Sequence, residues 1–286
     1  MNICIKVNTA KINAVNCAKR IINLLTNEGA TILMKSDARR SFESYGNIKY
    51  YDHDDELFAA ADKAVTVGGD GTIIHNARHA AENNVPMVGV NAGRVGFAAE
   101  LEPAEVKSLV RMLDDDYDLE KRMVLEITVE KKDSTRVYSC INDAVISRGQ
   151  LSRIIDMSLF VNDDKTKNYR ADGLIFATPT GSTAYSLSAG GPVVEPTMQC
   201  IIMTPICPYA LMDKTVIFNR DTVLTVKSES YAQGNESYLT IDGQIVIALT
   251  SEDRVIIKRS PLVLEFMSFK KRNFYRLVGE KLKEDD

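Results

Sequence analysis

A β-branched run, three glycines set around a single aspartate, and a helical stretch follow one another without a break between Val65 and Asn83. Val65-Thr66-Val67 reads as a short strand, and Thr72 to Asn83 as a helix with Ile73, Ile74, Ala77, Ala80 and Ala81 on one side. The spacing therefore predicts that Gly68-Gly69-Asp70-Gly71 forms the turn between them. Such a turn lets phosphate oxygens approach the main chain, and its N–H groups, backed by a helix N-terminus, attract anions. A carboxylate there would repel the phosphates that the turn attracts. Two readings of Asp70 follow: it accepts a proton from an attacking hydroxyl while phosphate is transferred, or it caps the helix and the glycines only tighten a loop.

The passage from Asp172 to Pro192 is the second unusual segment. It begins as an apolar strand, breaks at Pro179, and then carries Thr180, Ser182, Thr183, Tyr185, Ser186 and Ser188. A helix N-cap and a solvated face explain one or two of these hydroxyls. Hydroxyls alternating with small residues also suit a surface that hydrogen-bonds a base and a ribose, with Tyr185 available for stacking.

Periodicity divides the chain into two regions. The N-terminal part alternates strand and helix: Ile3 to Val7, an apolar stripe at Ala14, Ala18, Ile21, Ile22 and Leu25, a strand near Thr31 to Met34, the aspartate turn, Met87 to Val90, and a helix after Pro103 marked by Val106, Leu109, Val110 and Leu113. This predicts a Rossmann-like α/β domain with a parallel sheet covered by helices. After Asp114-Asp115-Asp116 the period becomes two, as in Leu125, Ile127 and Val129 or Ile155, Met157, Leu159 and Val161. Tyr238 to Leu249 reads as a hairpin around Asp242-Gly243. The C-terminal region is expected to be strand-rich and β-sandwich-like, beginning near residue 118.

With 286 residues and 45% hydrophobic content, the chain can fill one large core or two of ordinary size. A net charge of −4 argues against a general nucleic-acid binder. Cys4, Cys17, Cys140, Cys200 and Cys207 show no paired metal-binding spacing and are expected to be reduced. The N-terminus alternates like a strand instead of reading as a secretory leader, no stretch approaches the length of a membrane span, and the expected location is cytoplasmic.

The combined pattern resembles the NAD kinase family. The matching residues are Gly68 to Thr72, Gly89 to Phe97, Asn142-Asp143, Arg170 with Asp172-Gly173, Thr178 to Pro192, and Asp242-Gly243-Gln244. The resemblance implies transfer of a phosphoryl group from ATP or another donor to the 2′-hydroxyl of the adenosine ribose of NAD, with Asp70 as proton acceptor. Gly71 would lie beside it at the ribose, and His75 would be a further contact unless it is simply a structural helix residue. Asn142 and Asp143 match the family's Asn-Glu pair at the adenosine, with Asp143 one methylene shorter. Arg153, Arg170 and Asp172 would meet the dinucleotide, Thr183, Ala184, Tyr185, Ser186, Leu187 and Ser188 would line adenine and ribose, and Gln244 would contribute from the hairpin.

The resemblance further implies magnesium held mainly by donor phosphates, polyphosphate as an alternative donor, and a homodimer or homotetramer whose neighbouring subunit completes the pocket. It places the dinucleotide in a cleft between the domains, with residues 262–286 returning to complete domain 1–117 and 118–261 forming the other. A diacylglycerol-type lipid kinase shares the glycine-aspartate turn but leaves the hydroxyl-rich segment without a role. A phosphofructokinase would need sugar-phosphate contacts not found here, and a nucleotide sensor would bind without turnover. Neither a P-loop nor a G-x-G-x-x-G fingerprint is present.

Overall fold

The computed structural model describes residues 1–45, 47–93, 96–149, 154–229, 237–270 and 273–281. The chain forms two compact units, Met1–Lys121 with Leu264–Asp286, and Arg122–Val263.

In the first unit, β1 (Asn2–Val7), α1 (Ile12–Asn27), β2 (Thr31–Lys35), α2 (Arg39–Phe42), β3 (Ile48–Tyr51), α3 (Asp54–Ala59), β4 (Lys63–Gly68), α4 (Asp70–Glu82) and β5 (Met87–Asn91) follow in order. The strands pair in the order β5-β4-β1-β2-β3, all parallel. β4 and β5 are buried at every position, as continuous apolar strands covered on both faces should be. The predicted α1 stripe of Ala14, Ala18, Ile21, Ile22 and Leu25 is wholly buried, in one core with Ile3, Ile5, Val65, Val67, Val88 and Val90. Each buried Ile or Leu contributes about 1.5–3 kcal/mol relative to exposure. Pro103–Asp114 is a run of 3₁₀ turns opened by a reciprocal Glu102–Glu105 cap, where an α-helix was expected. Near the C-terminus, Phe266 pairs in parallel with Met87.

The second unit contains β6 (Asp118–Lys131), β7 (Ser134–Cys140), β8 (Asp143–Arg148), β9 (Ile155–Val161), β10 (Asp164–Ala171), β11 (Gly173–Ala177), α5 (Tyr185–Ser188), β12 (Cys200–Ile206), β13 (Val216–Asn219), β14 (Leu224–Glu229), β15 (Ser237–Ile241), β16 (Ile245–Leu249) and β17 (Arg254–Ser268), the first and last of which run into it from the first unit. One antiparallel sheet runs β13-β12-β11-β8-β15-β16. The other contains β10-β9-β14-β17 and the β6–β7 pair. Ile146, Leu174, Phe176 and Leu239 from the first sheet share one core with Leu125, Ile127, Leu159, Val226 and Ile257 from the second, so the sheets pack face to face. The fold class is therefore the one expected: an α/β unit and a β-rich sandwich. A final helix, α6 (Phe274–Lys281), follows. No helix among the described residues is long and apolar enough to cross a membrane.

Candidate active site

β4 ends at Gly68 and α4 begins at Asp70, so the helix starts two residues earlier than its apolar spacing suggests. Asp70 is thus the first helical residue, with Gly69 in extended conformation as its N-cap. The helix closes on the turn, with Thr72 and Ile73 N–H groups donating to the Gly69 carbonyl at 2.9 and 3.1 Å. The half-buried Asp70 carboxylate reaches the loop after β5. Its Oδ2 accepts from the Phe97 N–H at 2.6 Å and its Oδ1 from the Ala98 N–H at 3.3 Å. A Cβ on Gly96 would lie 1.6 Å from Oδ1, so only glycine at that position leaves room for this carboxylate. Gly71 is exposed beside it. His75, one turn on, meets the His79 ring edge-on at 5.9 Å.

In the second unit, the hydroxyl-rich segment follows β11 as a 3₁₀ turn, Thr180–Thr183, and then α5. It packs against the start of β8. Thr178 N–H donates to the Asn142 carbonyl at 2.9 Å, and Thr178 Oγ1 to the Ile141 carbonyl at 2.6 Å. A Cβ on Gly181 would lie 2.0 Å from the Asn142 carbonyl oxygen, so this close approach requires glycine. Asn142 Oδ1 is buried with no hydrogen-bond partner, an acceptor waiting for a donor.

Asp143 is buried, and the Tyr185 backbone N–H donates to its carboxylate. Burial first, and the neighbouring Asp242 carboxylate second, push the Asp143 carboxyl up to about 7. Burial likewise raises the Asp242 carboxyl, against the hydrogen bonds it accepts from the Ile141, Asn142 and Asp143 amides.

The hydroxyls divide into two groups. Ser182 is buried, its Oγ donating to Pro179 O at 2.7 Å and accepting from Val194 N at 3.0 Å. Ser186 Oγ is buried against Thr204 Oγ1 at 2.9 Å. Thr183 Oγ1 donates weakly to Thr180 O at 3.4 Å, and Thr180 Oγ1 accepts from Arg122 at 3.3 Å. Tyr185 and Ser188 are exposed, and Ala184 and Leu187 are half-buried. Internal bracing therefore accounts for four of the six hydroxyls, more than a helix cap alone would use.

Among the remaining expected residues, Asp172 Oδ1 accepts from Arg148 Nε at 2.8 Å. Arg170 is exposed, 3.8 Å from Asp156 and over the Tyr209 ring. Gln244 is exposed in the β15–β16 turn. Arg153 lies outside the described residues. The structure thus brings Asn142, Asp143 and Tyr185 together, and separately joins Asp172 to Arg148. Sequence reasoning did not single out Arg148, Gly96 or Asp242 as functional. Gly96 and Asp242 belong to the matching motif stretches, and Asp242 also stands in the expected hairpin turn; these are their signals in the sequence.

Among the described residues, two groups of three histidine or acidic side chains gather their donor atoms within 4.8 Å: Asp54–His75–His79 and Asp55–His79–Glu82. Neither includes Asp70. Their mixed imidazole and carboxylate donors differ from the all-oxygen shell that magnesium prefers, so these side chains do not form a resident magnesium site.

Residues 3–117 match the model of the ATP-NAD kinase N-terminal domain, and residues 141–269 that of the C-terminal domain. The chain is 36% identical over 281 residues to the NAD kinase of Caldanaerobacter subterraneus subsp. tengcongensis, covering 97% of each chain. It is 37% identical to that of Natranaerobius thermophilus, covering 90% of this chain and 86% of the relative. The crystal structure of yeast NADH kinase complexed with NADH matches with a TM-score of 0.88 at 25% identity, over 99% of this chain and 87% of the other. An NAD kinase from Archaeoglobus fulgidus in complex with ATP shares the fold, with a TM-score of 0.75 at 24% identity and 99% coverage of both chains. Family models over both halves and relatives along nearly the whole length agree: this chain belongs to the NAD kinase family.

Proposed function

We propose that Asp70 is the proton acceptor when this enzyme moves a phosphoryl group from ATP, or from polyphosphate, to the 2′-hydroxyl of the adenosine ribose of NAD. The observation that carries this reading is the anchored carboxylate: two backbone amides and the glycine at position 96 hold Asp70 at the mouth of the helix without burying it. Phosphoryl transfer needs reactants aligned and charge offset more than it needs covalent chemistry. A fixed carboxylate supplies the base, and help of this kind amounts to about 10²- to 10⁴-fold. The N-terminus of α4 beside it favours phosphate oxygens.

In the same reading, Asn142 and Asp143 meet the adenosine. The buried, unpartnered Oδ1 of Asn142 supports this, because an adenine amine would supply the missing donor. Tyr185, Ser188 and the backbone around Thr183 to Leu187 flank it. Gly71, His75, Arg153, Arg170, Asp172 and Gln244 are proposed as further dinucleotide contacts. Ser186 would serve through its main chain, since its hydroxyl is engaged by Thr204. Magnesium enters as the complex with the donor phosphates, which supply most of its oxygen ligands. Free thiols at all five cysteines fit a cytoplasmic location. Tyr209, Leu211 and Met212, exposed together after β12, support a homodimer or homotetramer.

The test is to incubate purified protein with magnesium, ATP and NAD and measure NADP, with a diacylglycerol and fructose 6-phosphate as parallel acceptors. NADP formation alone is expected. Asp70→Asn should lower turnover by about 10²-fold or more while NAD binding persists; wild-type turnover in that variant refutes the role of Asp70.

A further inference from the structure

We propose that Asp242 is a positioning residue whose carboxylate gathers the backbone N–H groups of Ile141, Asn142 and Asp143 and thereby presets the two side chains that meet the dinucleotide. This rests on the reading above that Asn142 and Asp143 bind NAD.

The contacts are unusually convergent. Asp242 Oδ1 accepts from Asn142 N at 2.7 Å and from Ile141 N and Asp143 N at 3.2 Å each, while Oδ2 accepts from Ile141 N at 2.9 Å. In a regular strand successive N–H groups point to opposite edges. Three in a row aimed at one carboxylate mean that residues 141 and 142, between β7 and β8, turn out of the regular ladder and with Asp143 at the start of β8 form a concave anion site. The protein fills that site with its own side chain.

The carbonyls of the same three residues are also taken. Thr178 Oγ1 donates to Ile141 O, Thr178 N to Asn142 O, and Asp242 N to Asp143 O at 2.9 Å. All six backbone polar groups of the segment are therefore held by Asp242 and Thr178 together. The group left over is Asn142 Oδ1, buried and unpartnered on a backbone that cannot turn to find a donor. A ligand that supplies the donor meets an acceptor already in place, and rigidity of this kind improves affinity by lowering the ordering cost.

Asp242 is a costly choice for this position. Its φ of +50° is one that an Asp-Gly turn accepts, but its part-buried carboxylate lies next to a second one, Asp143. The hairpin turn alone would accept asparagine as readily as aspartate there. The amide clamp accounts for the acid.

The experiment uses the full chain with NADP formation read at varied NAD and MgATP. Asp242→Asn replaces an oxygen acceptor with a donor facing N–H groups. We expect its KM for NAD to rise about 10-fold or more, with kcat and the KM for ATP near wild type. Asp143 faces the Asp242 carboxylate, the Cys140 thiol and the Tyr185 N–H. Removing the like charge should move the pH inflection of the NAD KM downward while Tm stays near wild type; a loosened fold, which would also lower the inflection by exposing Asp143, would lower Tm with it. If Asp242→Asn does not fold, Thr178→Val tests the other half of the clamp: it should raise the NAD KM, while Thr178→Ser, which keeps the hydroxyl, restores it.

An unchanged NAD KM in folded Asp242→Asn or folded Thr178→Val overturns the proposal. So does an equal loss in kcat and both KM values. Should the wild-type chain form no NADP, the kinase reading fails separately, and NAD titrated onto wild type and Asp242→Asn at equilibrium still decides whether Asp242 presets a dinucleotide site.

Discussion

The Asp70 carboxylate occupies the volume that a side chain at Gly96 would fill: a Cβ there would lie 1.6 Å from Oδ1 and 2.0 Å from Cγ. The residues that follow, Phe97 and Ala98, supply the two amides that bind this carboxylate. The same short loop thus leaves room for the carboxylate and holds it.

Gly96→Ala should therefore act as an Asp70 variant. The methyl group must expel the carboxylate from its amides, and turnover is expected to fall about as far as in Asp70→Asn, by about 10²-fold or more. The double variant should be no worse than either single one, because both remove the same placed base. Steady-state kinetics on the three proteins checks this, and additive losses would contradict it.

Asp143 predicts a pH dependence of stability. Its carboxyl is pushed up to about 7 by burial first and by Asp242 second, against about 3.9 in an unfolded chain. Between these values the native state holds the extra proton, so this group's contribution is most favourable at the acid end and is lost as pH rises through about 7. Asp143→Asn should flatten the fall in Tm between pH 5 and pH 8. A parallel fall in wild type and variant would show that another group is responsible.

Asp54 has the opposite sign. Burial alone would raise its carboxyl, but Lys6 and Lys35, both bonded to it, outweigh burial and hold it at about 2. Its contribution is present above the unfolded value near 3.9 and lost as pH falls through about 2. Asp54→Asn should be less stable than wild type at pH 7, and the gap should close on acidification below pH 4. Urea titrations at pH 7 and pH 3 measure it.

Ser182 is expected to matter for folding more than for chemistry. Its buried hydroxyl bonds Pro179 O and Val194 O and accepts from Val194 N. Ser182→Ala leaves these groups without their partner and should cost about 1–3 kcal/mol, with the KM for NAD little changed. A variant of wild-type Tm that binds NAD poorly would instead make the hydroxyl a ligand contact.

Much of this molecule is legible before folding. The continuous apolar runs at β4 and β5, the α1 stripe and the period-two segments of β6 and β9 report local rules, because side-chain spacing follows backbone repeat. The turn at Asp70 is visible for the same reason. The sequence is less informative about the hydroxyls between Thr180 and Ser188. Their composition marks an unusual segment, but that Ser182 and Ser186 face inward and Tyr185 and Ser188 outward follows from contacts with Asn142, Val194 and Thr204, which lie elsewhere in the chain.

Other relationships belong to the tertiary structure alone. Gly96 lies 26 residues after Asp70, and Asp242 about a hundred after the amides it gathers. No spacing rule joins such positions, since hydrogen bonds and excluded volume act through space once the sheets have formed. The sequence by itself determined the period of β1, β4, β5, β6, β9 and α1 and the turn that presents Asp70. Packing decided which atoms hold the Asp70 carboxylate, that Asp143 and Asp242 lie together, and which acceptor is left open, because these contacts join segments far apart in the chain.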